Sequence, residues 1–152
     1  GVTINWGDGS TNKSATVGVT SLSHTYSSTG IKNITITILA GCKLILGGGT
    51  NSTIFVGGNN STYRNYVKQI LIPSGVELSP YCLYFLYYAD ITLPPDLTDI
   101  PTYALAYIYS PTYSRIIPPN VKTLGDYSCY NTIGTYNGQR NNCVISLPES
   151  IE

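Results

Sequence analysis

The chain has 152 residues, with eight Lys and Arg against eight Asp and Glu and only 11% charged residues in all. That balance excludes nucleic acid or an anionic membrane surface as the main partner, because both require a basic excess. No apolar run approaches the roughly 18–20 residues that cross a bilayer, so no membrane insertion is expected within this segment.

Fifteen Gly, fourteen Tyr, abundant Thr, Ser and Asn, and little helical periodicity predict a mainly β protein of extracellular type. The chain opens at Gly1 and contains no Met, which reads as a processed product or a piece of something longer. Five N-x-S/T sequons, at Asn12, Asn33, Asn51, Asn59 and Asn60, are possible N-glycosylation sites if a eukaryotic secretory pathway made the protein. Four cysteines, Cys42, Cys82, Cys129 and Cys143, contain no CxxC pair, so the pattern offers no zinc site and no other metal site.

Val2, Ile4 and Trp6 alternate with Thr3 and Asn5, which predicts a strand with one buried face. Gly7-Asp8-Gly9 supplies turn chemistry. A weaker strand follows over Ser14–Thr20. HTYSSTGIKNITITI then reads as a short strand, a turn, and a strand carrying Ile34, Ile36 and Ile38 on one face. His24 is the single histidine, and no nucleophile motif lies near it, so a structural role is expected. Asp8, Ser10 and Asn12 have the alternate spacing of a calcium loop, but with one carboxylate and a misplaced Gly.

WGDGS followed by HTYSSTG and an alternating strand resembles the PKD family of immunoglobulin-like β-sandwich modules found on microbial surface proteins. The resemblance covers residues 2–39, about half a usual module, and lacks the strands that precede the motif. It implies that Trp6 and Tyr26 pack the core, that Asp8 braces a turn, and that His24 belongs to a structural motif. Residues 1–40 are therefore expected to form a shortened PKD-like β module. Residues 41–66, short apolar runs between Gly/Asn clusters, are expected to form a β connector.

From residue 67 the chain repeats. ILIPSGV, ITLPPDL, RIIPPNV and ISLPESI place their first prolines at Pro73, Pro94, Pro118 and Pro148, separated by 21, 24 and 30 residues. GVELSPYCLYF, DLTDIPTYALAY and NVKTLGDYSCYN align behind them with one residue missing from the first. This pattern resembles the BspA-like leucine-rich-repeat family and implies a solenoid of about three to four coils over residues 67–152, incomplete at its C-terminal end. Val76, Leu97, Val121 and Ile151 then share one core slot, and Leu78, Ile100 and Leu124 the next. Cys82, Ala104 and Ser128 fill a small slot, and Leu83, Leu105 and Cys129 a large one. Positions two before each proline, Leu71, Thr92, Ile116 and Ser146, are expected to point outward. Arg115 falls where the other repeats carry Ile. The slots make Cys82 and Cys129 core residues, while a Cys42–Cys143 bridge is conceivable.

Thirteen of the fourteen tyrosines lie between residues 63 and 136. Tyr81, Tyr103 and Tyr127 occupy repeat positions and read as structural. Tyr84, Tyr87, Tyr88, Tyr107, Tyr109, Tyr113, Tyr130 and Tyr136 are candidate binding residues, because Tyr offers a large, rigid contact with a polar tip. No constellation supports catalysis or a cofactor. The expected function is that of an extracellular adhesin or receptor-binding protein, on a cell or virion surface of a bacterium or its phage. Its partners would be protein or glycan on a cell surface. The alternative is a structural subunit of an extracellular filament, sheath or phage tail appendage, self-associating end to end.

Overall fold

The computed structural model describes residues 1–16, 18, 22–47, 66–87, 89–108, 115–132, 135–136, 139–140 and 145–151. Among them the protein is mainly β, with thirteen short strands, no helix and no closed barrel. It divides into two compact units, Gly1–Leu44 and Ile45–Glu152.

The first unit is a three-stranded antiparallel sheet. Strand β1 (Val2–Asn5) lies between β2 (Lys13–Ala15) and β3 (Thr35–Ile38). The register sets Val2 opposite Ala15 and Ile38, and Ile4 opposite Lys13 and Ile36, so the apolar residues share one face. Thr3, Ser14 and Thr37 share the other, where the Thr3 and Ser14 hydroxyls are 3.1 Å apart. β2 covers Ser14 and Ala15 of the expected Ser14–Thr20 strand, of which Val17, Val19 and Thr20 lie outside the described residues. The stretch around His24 is not a strand at all; its side chains, rather than ladder hydrogen bonds, tie it to the unit. Gly7 shows why the WGDG turn needs glycine: its φ is +73°, and a Cβ there would sit 2.4 Å from the Asn33 carbonyl oxygen.

In the second unit, β5 (Gln69–Leu71) pairs in parallel with β7 (Asp90–Thr92), setting Ile70 beside Ile91. Further along, β9 (Arg115–Ile116) pairs in parallel with β13 (Ile145–Ser146). Each of these strands stops two residues before the proline of its repeat, because Pro cannot donate to a ladder. Leu71 and Thr92 point outward and are exposed, whereas the pre-proline residues Ile72, Leu93 and Ile117 are buried. The turn after the proline closes through Leu97 N–H to the Pro94 carbonyl (3.2 Å) and Val121 N–H to the Pro118 carbonyl (3.1 Å).

A second row of strands follows the turn: β8 (Asp99–Ile100) pairs in parallel with β10 (Thr123–Leu124). In the same row β6 (Val76–Leu78) pairs with β4 (Leu44–Leu46), so part of the connector adds a strand to the repeat region. Ser79 N–H donates to the Leu46 carbonyl and Gly125 N–H to the Ile100 carbonyl. The equivalent residue of the intervening repeat is Pro101, which has no N–H, and there the row is interrupted. A small hairpin, β11 (Thr135–Tyr136) with β12 (Gln139–Arg140), falls within the long polar segment after the third repeat.

Most of the aligned slots are buried, while Leu124 and Ile151 are half-buried. Val76, Leu97 and Val121 are buried, as are Leu78 and Ile100, Cys82, Ala104 and Ser128, and Leu83 and Leu105. A further slot, Leu86, Ile108 and Thr132, is fully buried, with the Thr132 hydroxyl donating to the Cys129 carbonyl at 2.7 Å. Each large aliphatic side chain so buried contributes about 1.5–3 kcal/mol relative to exposure. Cys129 is only half-buried, and its slot is less enclosed than that of Leu83 or Leu105.

Gly125 carries the tightest backbone approach in this unit: a Cβ would lie 2.5 Å from the Thr102 amide nitrogen. Gly125→Ala is expected to cost about 1–3 kcal/mol through overpacking. The measurement is the urea midpoint of the tyrosine near-ultraviolet signal, which comes almost entirely from the repeat region. An unchanged midpoint would show that the two backbones separate freely.

Candidate functional site

Two groups of side chains stand out, one in each unit. In the first, Asp8 organises the turn after β1. Its Oδ1 accepts from the Ser10 amide (3.1 Å) and the Ser10 hydroxyl (2.6 Å), while Oδ2 lies 2.7 Å from His24 Nε2. His24 is stacked on Trp6, with ring centroids 5.0 Å apart, and meets Tyr26 edge-on at 4.8 Å. Tyr26 donates its hydroxyl to the Trp6 carbonyl at 3.1 Å. Lys13 covers the Trp6 ring at 6.0 Å. Trp6 is the one buried side chain of this unit among the described residues.

The hydrogen bonds from Ser10, and then His24, hold the Asp8 carboxyl well below the usual carboxylate range. His24 therefore has an orienting carboxylate, sixteen residues away in sequence, which reading the chain locally had not supplied. The Ser10 hydroxyl, however, donates to Asp8 and not to His24, so the group braces a turn and offers no activated nucleophile. Trp6, Asp8, His24 and Tyr26 form one connected cluster.

In the second unit the tyrosines form rows across the repeats. Tyr81, Tyr103 and Tyr127 stack nearly parallel, at 5.0 Å and 9° and then at 5.0 Å and 15°. All three have left-handed backbone, with φ of 61°, 55° and 56°. Four residues on, Phe85, Tyr107 and Asn131 repeat that conformation, and Phe85 and Tyr107 lie 4.4 Å apart. Between the rows, Tyr84 meets Tyr81, Tyr103 and Tyr107 edge-on, and Tyr130 does the same to Tyr103, Tyr107 and Tyr127. Burial, followed by the closeness of Tyr127, Tyr81, Tyr107 and Tyr130, pushes the Tyr103 phenol above its ordinary range. Tyr107 is raised likewise by burial, then by its neighbour Tyr130, with which it shares a side-chain hydrogen bond.

The structure thus separates the candidate binding tyrosines. Tyr130 is 47% exposed, and Tyr107 and Tyr87 are half-buried at the surface of the cluster. Tyr84, at 7% exposure, supports the rows from within and presents almost no surface. Tyr127, read from the sequence as purely structural, is 58% exposed and belongs to the outer surface. Tyr88, Tyr109 and Tyr113 lie outside the described residues, as do Asn51, Asn59, Asn60 and Cys143, and Tyr136 is described by its backbone in β11 alone. Asn12 and Asn33 are exposed. The Cys42 thiol lies 2.7 Å from the amino terminus, and burial pushes the Cys82 thiol up to about 12.

A set of polar residues at the proline corner was not singled out in the sequence. Asp96 accepts from the Gly75 amide (2.8 Å), Asn120 donates to the Pro95 carbonyl (3.2 Å), and Ser150 donates to the Pro119 carbonyl (2.8 Å). Each reaches back by one repeat. Their signal was present: Asp, Asn and Ser recur two residues after Pro94, Pro118 and Pro148. Asp99, fixed by Thr123 and then Thr98, is held below the usual carboxylate range and adds a similar link.

Among the described residues no three of His, Cys, Asp or Glu gather where one metal ion would sit. None of them forms a helix long and apolar enough to cross a membrane. Comparison with protein-family models, with curated proteins and with solved structures finds no match to this chain.

Two outcomes follow from these contacts. Because the Asp8 carboxyl is lower when folded, its stabilisation is complete above the ordinary value of about 3.9 and is lost as pH falls below it. Asp8→Asn is expected to lower the thermal midpoint at neutral pH and to diminish the acid-side decline. Fluorescence of Trp6, the only tryptophan, reports both, and an unaltered neutral midpoint would refute the bracing role. In the second unit, Tyr84→Ala is expected to cost roughly 3–5 kcal/mol, as large-to-small changes of buried aromatics do, and Tyr130→Ala far less. Urea unfolding distinguishes them.

Proposed function

We propose that this chain is an extracellular surface protein acting as an adhesin or receptor-binding module, with the tyrosine rows of its repeat region as the recognition surface. The observation carrying this reading is the concentration of aromatic rings at one level of successive repeats, where Tyr127 and Tyr130 are about half exposed. Tyrosine gives much contact area for little lost side-chain entropy, and the repeat backbone holds these rings in place before any partner arrives. The parallel pairing of successive repeats supports a leucine-rich-repeat solenoid of the BspA type. The turn braced by Asp8 and the Tyr26 bond to Trp6 support a PKD-like first module. Both resemblances favour a bacterial or phage surface. In this reading the chain binds and does not catalyse.

One observation favours the second reading, a structural subunit of an extracellular filament, sheath or tail appendage. The apolar face of the first unit's sheet is open, with Ile36 37% and Ile34 43% exposed. A sheet buries such a face against another layer, and in an assembly a neighbouring subunit supplies it.

The test pairs a cell-surface binding screen with sedimentation over a wide concentration range. Recognition predicts saturable binding by a chain that stays monomeric, reduced several-fold by Tyr127→Ala with Tyr130→Ala and with no loss of fold. Concentration-dependent polymers with a blank screen would replace it with the structural reading.

A further inference from the structure

Tyr81, Tyr103 and Tyr127 stack on one another, so their ring faces are largely engaged within the row. What such a row offers a partner is a line of ring edges and phenolic groups, one per repeat, at intervals of 5.0 Å. The interval follows from the parallel ladder, whose strands lie about 4.7–4.9 Å apart. A linear polymer running along the row sets one unit on each tyrosine only if its units are spaced at about that length. The rings of an equatorially linked hexopyranose chain are so spaced, with alternate rings turned over; the residues of an extended peptide, about 3.3 Å apart and about 6.6 Å apart on one face, are not. Of the six chain neighbours of these tyrosines (Pro80, Cys82, Thr102, Ala104, Asp126 and Ser128), only Asp126 is charged, and it is acidic. That disfavours a polyanionic chain.

The backbone on which the rings stand is fixed. Tyr81 N–H donates to the Thr102 carbonyl and Tyr103 N–H to the Asp126 carbonyl, so two of the three positions are tied directly to the next repeat. Tyr84 and Tyr130 buttress the row edge-on. Preorganisation of this kind lowers the ordering cost of binding.

We propose that the Tyr81–Tyr103–Tyr127 row binds an uncharged, extended glycan lying along the stack, one sugar to each tyrosine. This rests on the recognition reading of the tyrosine surface and narrows it to a ligand class and a register.

The test titrates the full chain with cello-oligosaccharides and manno-oligosaccharides of increasing length, using calorimetry. Affinity is expected to rise with each sugar up to three and then to level. Tyr103→Phe, which keeps the stacked ring and removes the central hydroxyl, is expected to weaken the trisaccharide about 2–10-fold, the loss of one hydrogen bond, at an unchanged melting temperature. Absence of binding at every length, or affinity indifferent to length and to Tyr103→Phe, overturns the inference. If cell-surface binding persists under those results and still depends on Tyr127 and Tyr130, the recognition reading stands without the glycan. If it is lost as well, both fall.

Discussion

Left-handed backbone at two positions in each of the first three repeats is the constraint on which the second unit depends. Tyr81 and Phe85, Tyr103 and Tyr107, and Tyr127 and Asn131 all have φ between 53° and 61°. A side chain in that conformation costs roughly 1–2 kcal/mol per residue. The return is a backbone that turns while its amides alternate. Tyr81, Leu83 and Phe85 donate to the next repeat, whereas Cys82 and Tyr84 donate within their own. The second repeat does the same, with Tyr103, Leu105 and Tyr107 donating forward and Ala104 and Ala106 inward. Every N–H from Tyr81 to Phe85 and from Tyr103 to Tyr107 is thus bonded, and the side chains of Cys82, Leu83, Ala104 and Leu105 are delivered to the core. Aromatic residues suit the strained positions because they stack on their equivalents one repeat away, each such pair adding about 0.5–1.5 kcal/mol.

The repeat itself was legible because core slots recur with the prolines, and a slot demands a residue of one size and polarity wherever it recurs. Val76, Leu97 and Val121 show that plainly. The left-handed positions were not legible, since five of the six carry Tyr or Phe rather than the Gly or Asn that announces positive φ. Tyr84 and Tyr127 exchanged roles for a related reason. Composition shows where tyrosines cluster, but only the direction of the turning backbone shows which ring faces inward. The hydrogen bond between Asp8 and His24 joins residues far apart in the chain through a segment without strand pairing, so no periodicity pointed to it. β4 was legible as the short apolar run Leu44–Leu46 of the connector, but its pairing with β6 was not, because a three-residue run carries no register of its own. Ser128-Cys129, which in isolation resembles reactive chemistry, sits at the small and large slots. Ser128 is buried, and the Cys129 thiol lies beside the Ser128 hydroxyl at 4.0 Å.

The two units are held together differently. The repeat region closes a core of fully buried Leu83, Leu86, Leu105 and Ile108. Among its described residues the first unit keeps only Trp6 buried and relies on a polar cluster, Asp8 with Ser10 and His24, to fix its turn. The repeat region thus rests on an apolar core, and the first unit on polar contacts around one aromatic side chain.

Stacking also decides what kind of contact the tyrosine rows can make. A lone exposed tyrosine presents a ring face, and its contribution to binding is mainly apolar contact. Once Tyr81, Tyr103 and Tyr127 cover one another, most of that face area is spent within the fold, and the edges and hydroxyls remain. Tyr127, covered by Tyr103 and still 58% exposed, keeps the most surface of the three. The ring spacing of 5.0 Å matches the separation of strands in the parallel ladder, so the register that pairs the repeats also spaces the edges and hydroxyls along the row.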